Sequence, residues 1–200
     1  MTIRATIWDF SGVLIQPRIP NPHDVLAAEL GITPQQLAKY FDGRENHSID
    51  TGLETEHDYI QRMLRELGLS PDSFHLISNF FFDKFELDQE FMTFIRQSRP
   101  QMLTALCSNF SDRLRPSLQE PWGILNDFDA IIISCEVGST KPKPEIYQIT
   151  LQQLNVAPEE AVFIDDLEEN VKGAQALGMQ GIWFKDTRDT LQQIQQYMLE

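Results

Sequence analysis

An α/β fold is predicted for this 200-residue chain: a parallel sheet with helices on both faces and a block of helices inserted after the first strand. Three observations lead there. Short apolar runs rich in Ile, Val, Leu and Phe recur along the chain, and patterns with three- and four-residue apolar spacing separate them. One long stretch, 17–98, carries helix signals only.

Residues 5–8 read as the first buried strand, because the run Ala5-Thr6-Ile7-Trp8 stops at Asp9 and is followed by Ser11-Gly12. The inserted stretch then offers helices at 22–30, 34–41, 54–67, 71–82 and 88–97. Gly31 and Gly68 serve as stops and Ser70-Pro71 as a start. No strand is expected within it. Strands follow at 103–107, 130–134, 161–164 and 181–184, alternating with helices at 111–119, 144–154 and 168–177. Pro144 suits a first helical position and Gly178 a stop. Gln192 to Gln196 reads as the exposed face of a final helix. Strand–helix–strand alternation calls for parallel pairing. The chain therefore divides into a core from 1–16 and 99–200 and a helical lobe from 17–98.

With 30 acidic against 16 basic residues the formal net charge is −14, which disfavours nucleic acid and anionic membrane surfaces as partners. An apolar fraction of 42% is enough for a packed core and argues against disorder. Cys107 and Cys135 each end an apolar run, as small buried thiols do, so a reducing cytoplasmic setting is expected. No run approaches the ~18 apolar residues of a membrane span, and no secretory leader is read. A monomer and a homodimer are both compatible with the composition.

Ligands of open parallel sheets sit beyond the carboxyl ends of the strands, and those ends are polar here. The first strand runs into Asp9 and Ser11, the second into Ser108-Asn109 and the fourth into Asp165-Asp166, while the loop after the third leads to Lys141. Converging carboxylates with an amine, a hydroxyl and an amide suit a divalent metal and an anion. Oxygen donors of this kind favour Mg²⁺. The four histidines are scattered without zinc-ligand spacing.

Asp9-x-Ser11-Gly12-Val13-Leu14, Ser108-Asn109, Lys141-Pro142-x-Pro144 and Phe163-Ile164-Asp165-Asp166 resemble, in order and across the whole chain, the four motifs of the haloacid dehalogenase-like (HAD) hydrolases. The resemblance implies a Rossmannoid core with sheet order 5-4-1-2-3 and a helical cap over the first strand. It further implies a Mg²⁺-dependent phosphatase of small phosphorylated metabolites. Asp9 would be the nucleophile forming an aspartyl-phosphate, and Ser108, Asn109 and Lys141 would hold the phosphoryl group. Lys141 would also neutralise charge in catalysis, and Asp9, Asp166, Ser11 through its carbonyl, and Asp165 would hold the metal. Dehalogenases of this fold lack paired carboxylates at the fourth strand. Phosphonate hydrolases use a cap lysine, for which Lys39 and Lys84 have no matching context.

Family phosphatases usually place a second Asp two residues after the nucleophile as general acid and base. Ser11 stands at that position, and its hydroxyl does not ionise near neutral pH. The expectation is therefore a slow hydrolase, one that borrows an acid from His47, Asp50, Glu54, Glu56 or His57, or one whose substrate has a good leaving group. The alternative is a catalytically impaired, phosphate-binding regulatory protein.

Overall fold

The structure is a computed structural model and describes residues 2–41, 47–99 and 101–199. Its strands are β1 (Ala5–Trp8), β2 (Ile15–Pro17), β3 (Phe85–Leu87), β4 (Leu103–Ser108), β5 (Ala130–Ile133), β6 (Ala161–Asp165) and β7 (Gln180–Trp183). The helices of the insert are α1 (Pro22–Leu30), α2 (Pro34–Phe41), α3 (His47–Asp50), α4 (Glu56–Leu67), α5 (Phe74–Ser78) and α6 (Phe80–Lys84). They are followed by α7 (Gln89–Ser98), α8 (Leu114–Gln119), α9 (Ser134–Val137), α10 (Pro144–Leu154), α11 (Glu168–Ala176) and α12 (Thr187–Leu199).

Five strands form one parallel sheet in the order β5-β4-β1-β6-β7. Counted as core strands from the other edge, this is the expected order 5-4-1-2-3. Successive side chains of a strand point to opposite faces, so each buried strand feeds two layers. Ala5 and Ile7 of β1, Ala105 and Cys107 of β4 and Phe163 of β6 pack under Ile146 and Tyr147 of α10. Trp8, Leu106 and Ile164 point the other way, into the cluster that holds Phe91 of α7, Leu118 of α8 and Ile194 of α12. The Trp8 ring lies 5.0 Å from that of Phe91, and its indole N–H donates to the Thr6 hydroxyl at 3.0 Å. That bond matches a donor that burial would otherwise leave unpaired.

The insert departs from its expected all-helical character at one place. Phe85–Leu87 pairs antiparallel with Ile15–Pro17, forming a two-stranded ribbon where the chain leaves and rejoins the core. Three residues are too few to display a period of two, so only the pairing reveals them. The ribbon is extended by backbone bonds from Arg18 to Lys84 (2.8 Å) and from Asp88 to Leu14 (2.9 Å). The helix expected over 71–82 is instead a 3₁₀ turn (Pro71–Ser73), then α5 and α6, interrupted at Asn79 with ψ near 2°. The break turns Phe80 into the insert's interior and sets Phe81 against Phe110 of the core, with ring centroids 5.3 Å apart. Helix α7 packs on the sheet, and the Thr187 hydroxyl of α12 donates to Asp88 at 2.5 Å. Both cysteines are free thiols. Among the described residues no helix is long and apolar enough to cross a membrane.

Candidate active site

Sheet register assembles the acidic residues. Trp8 lies opposite Ile164, so the next residue of each strand, Asp9 and Asp165, emerge side by side, and the Asp9 N–H donates to the Ile164 carbonyl at 2.9 Å. Asp166 follows immediately. Carboxylate oxygens of Asp9, Asp165 and Asp166 all lie within 4.8 Å of one another. The turn after Asp9 depends on Gly12, whose φ is 88° and where an added Cβ would stand 2.5 Å from Asp166 Oδ2. Only a residue without a side chain leaves room there for the Asp166 carboxylate.

Lys141 enters from the loop before α10. Its ammonium contacts Asp9 Oδ1 and Asp165 Oδ2, each at 2.6 Å, in a fully enclosed position. Asn109 fixes that loop: its amide donates to the Lys141 carbonyl at 3.0 Å, and the Lys141 N–H donates to Asn109 Oδ1 at 2.8 Å. Asp165 is the busiest carboxylate, because Oδ1 also accepts from the Leu167 N–H (2.9 Å) and the Asn170 amide (3.0 Å). Ser108 sits beside this group with its hydroxyl buried and without a hydrogen-bond partner. Such an oxygen is costly unless a ligand completes it.

Charge here is unbalanced. Burial pushes the Asp9 carboxyl up to about 7; Lys141 pulls against that rise and Asp165 adds to it. Asp166 is also raised, by burial first and by Asp165 second. Burial alone would pull the Lys141 ammonium down, but Asp9 and Asp165 outweigh it and hold the group above its ordinary range. Three carboxylates thus face one ammonium. An all-oxygen donor set with excess negative charge suits a hard divalent cation, and the residues present can hold one.

The insert covers the crevice, leaving a cavity of about 710 Å³ between its helices and the strand ends. Gly52 brings the two parts close: its φ is 74°, and an added Cβ would meet the Cys135 carbonyl oxygen at 2.3 Å. Glu56 is held there by the Ser111 hydroxyl, which donates to it at 2.5 Å, while its own N–H donates to Asp112 at 2.9 Å. Of the five acid candidates in the insert, Asp50 and Glu56 line the cavity together with Asp9 and Ser11. Glu54 is engaged by Arg62 (2.9 Å) and by the Ser48 hydroxyl (2.9 Å), and the His57 ring packs on Phe74. The His47 side chain lies outside the described residues. Lys84 pairs with Glu29 at 2.7 Å, and neither Lys39 nor Lys84 lines the cavity. Sequence reasoning missed the core-side walls, Phe110 and Trp122, since neither belongs to a motif.

Asp50 has no hydrogen-bonding or ionic partner among the described residues, and burial raises its carboxyl to about 6. The unfolded chain releases this proton near pH 4, so between about pH 4 and pH 6 the folded state holds a proton that the unfolded state has lost. Stability from this group falls across that window and is level above it. Asp50→Asn is accordingly expected to stabilise the protein by about 2–3 kcal/mol at pH 7.5 and to change little near pH 4. Denaturant titrations at the two pH values decide it; a difference independent of pH would defeat the assignment.

One expectation is corrected. The sequence reading of Ser11 is a site short of a carboxylate, a phosphatase defined by an Asp-to-Ser replacement or an impaired binding protein. The assembled cluster of Asp9, Asp165 and Asp166 overturns this reading. Ser11 lines the cavity beside the acidic cluster and takes the place of none of its members. The carboxylates come from two strands, and a motif two residues apart on one strand does not reveal how they meet.

A helical lid over an acidic cluster at the carboxyl ends of parallel strands defines a class of hydrolase, and comparison gives its family. The model of the haloacid dehalogenase-like hydrolases matches residues 3–178, and the chain belongs to that family. Among solved structures, a predicted HAD-like family hydrolase from Porphyromonas gingivalis superposes with a TM-score of 0.83 at 22% identity, covering 100% of both chains. A HAD family enzyme from Bacteroides thetaiotaomicron, complexed with magnesium and inorganic phosphate, gives 0.78 at 23% identity over 94% of this chain and 98% of that one. Phosphoserine phosphatase of Thermus thermophilus is 30% identical over 125 residues, 60% of this chain and 50% of that protein. The chain spans half or less of the length of the curated relatives it matches.

Proposed function

We propose that the protein hydrolyses small phosphomonoesters with Mg²⁺, through covalent transfer of the phosphoryl group to Asp9. The observation that carries this reading is the acidic cluster closed by Lys141 at the floor of a lidded cavity. An Asp9 carboxylate oxygen would attack phosphorus and the bond to the substrate oxygen would break; water would then cleave the aspartyl-phosphate and release phosphate. Lys141, braced by Asp165 and Asn109, would offset charge on Asp9 and on the transferring group. The unpartnered Ser108 hydroxyl at the end of β4 would supply a donor for a phosphoryl oxygen, and the adjacent Asn109 lines the cavity. For the proton taken up by the departing oxygen the cavity offers the carboxyls of Asp50 and Glu56.

Asp9, Asp166, the Ser11 carbonyl and, less directly, Asp165 would hold the metal. When bound it would neutralise the carboxylates and polarise the phosphoryl group. The magnesium and phosphate recorded with the Bacteroides enzyme support this choice of ion. The net charge of −14 supports a small metabolite over nucleic acid or membrane as partner, in a cytoplasmic monomer or homodimer. The division into 1–16 with 99–200 and an inserted 17–98 is part of the proposal; the ribbon of β2 and β3 supports its boundary at 16, while α7 packs on the sheet with the core.

Phosphate release from a panel of phosphomonoesters tests the function. Turnover is expected with millimolar Mg²⁺ and is expected to disappear on chelation and return on adding the ion back. Turnover that survives chelation, or no release from any ester, would overturn the reading.

A further inference from the structure

We infer that the alcohol portion of the substrate is apolar and uncharged, a phosphomonoester of a hydrocarbon or aromatic alcohol rather than of a sugar or a polyol. The inference rests on the phosphatase reading and specifies its substrate class. The apolar part of the cavity wall is made of rings and aliphatic chains: Ile60 and Met63 of α4, Phe81 and Phe82 of α6, and Phe110 and Trp122 of the core. Opposing walls are already in ring contact, Phe81 with Phe110 at 5.3 Å and Phe82 with Trp122 at 5.9 Å. At about 710 Å³ the space is that of a site for a drug-sized group, larger than a three-carbon phosphate needs.

Most polar groups on these walls are committed to the protein, Asp50 being the exception among the described residues. The Tyr59 hydroxyl donates to the Tyr40 carbonyl (2.9 Å), the Ser117 hydroxyl donates to the Arg113 carbonyl (2.7 Å), and Glu56 accepts from Ser111. The Arg113 guanidinium lies 5.2 Å from the Phe82 ring centroid and donates to Asn79 at 3.3 Å. A polyol entering here would surrender hydrogen bonds to water with few replacements, whereas a hydrocarbon would leave water favourably. The carboxyls of Asp50 and Glu56 add a penalty for a second anionic group on the substrate.

The test compares primary alkyl phosphates of similar leaving-group chemistry: 3-phenylpropyl phosphate against glycerol 1-phosphate and glucose 6-phosphate. With Mg²⁺, kcat/KM for the phenylpropyl ester is expected to exceed both others by at least about tenfold, as burial of several methylene equivalents allows. Phe81→Ala and Phe82→Ser are each expected to reduce that ratio. Equal or reversed preference would overturn the inference while leaving the phosphatase reading in place. If no ester is turned over, that reading fails, and calorimetry on the wild type with Mg²⁺ decides the class separately. Binding of 4-phenylbutylphosphonate at least about tenfold tighter than methylphosphonate would support it, and equal affinities would overturn it.

Discussion

Asp9→Asn is expected to lower Mg²⁺-dependent phosphate release on the order of 10⁴-fold or more, the size of loss seen when a covalent nucleophile is removed. The substitution keeps shape and hydrogen-bonding capacity and deletes the attacking charge. It should not unfold the protein. Burial and Asp165 raise the Asp9 carboxyl from its ordinary value near 3.8 to about 7, so ionising it at pH 7.5 opposes folding of the metal-free chain. Stability from this group is lost as pH rises from about 4 to about 7 and stays lost above. The melting temperature of the variant in chelator at pH 7.5 is therefore expected to equal or exceed that of the wild type. A folded variant that retains turnover would remove Asp9 from the chemistry.

The second large effect belongs to Lys141. Its ammonium is enclosed and touches two carboxylates at 2.6 Å, so Lys141→Met leaves Asp9 and Asp165 as buried charges without their counter-ion. Breaking a buried pair in this way typically costs about 3–5 kcal/mol. The loss is expected in full at pH 8 and in reduced form at pH 5, where the Asp9 carboxyl, raised by burial and further once the ammonium is gone, takes up a proton. Urea unfolding in chelator at both pH values measures it. Adding Asp165→Asn to Lys141→Met is expected to recover part of the loss at pH 8, because one of the stranded charges is then absent. Equal stability of Lys141→Met and wild type at pH 8 would show that the pair is not the buried contact described.

Strand positions were legible in the sequence because each central strand is buried on both faces. Ala161 to Ile164 and Leu103 to Cys107 therefore read as unbroken apolar runs, and the polar residues that end them stand out. Asp9, Asp165 and Asp166 stand out for that reason, whereas Lys141 lies in the loop before α10 and ends no strand. The pairing of Ile15–Pro17 with Phe85–Leu87 was not legible, since it joins residues some seventy positions apart and each strand is too short to carry a pattern. The break at Asn79 was hidden in the same way by the continuous apolar run around it, which a single helix would satisfy equally well.

What the sequence by itself determined is the alternation of strand and helix, the place of the insert and the identity of the residues at the strand ends, because periodicity and punctuation are local properties of a chain. Which carboxylates meet was decided by the tertiary structure, through the register that sets Trp8 opposite Ile164 and the room that Gly12 leaves for Asp166. The same holds for the cavity. Phe81 and Phe82 gain their meaning only against Phe110 and Trp122, and Asp50 only from the burial that strips water from its carboxyl. Distances and desolvation between remote segments are properties of packing, and no short stretch of sequence contains them.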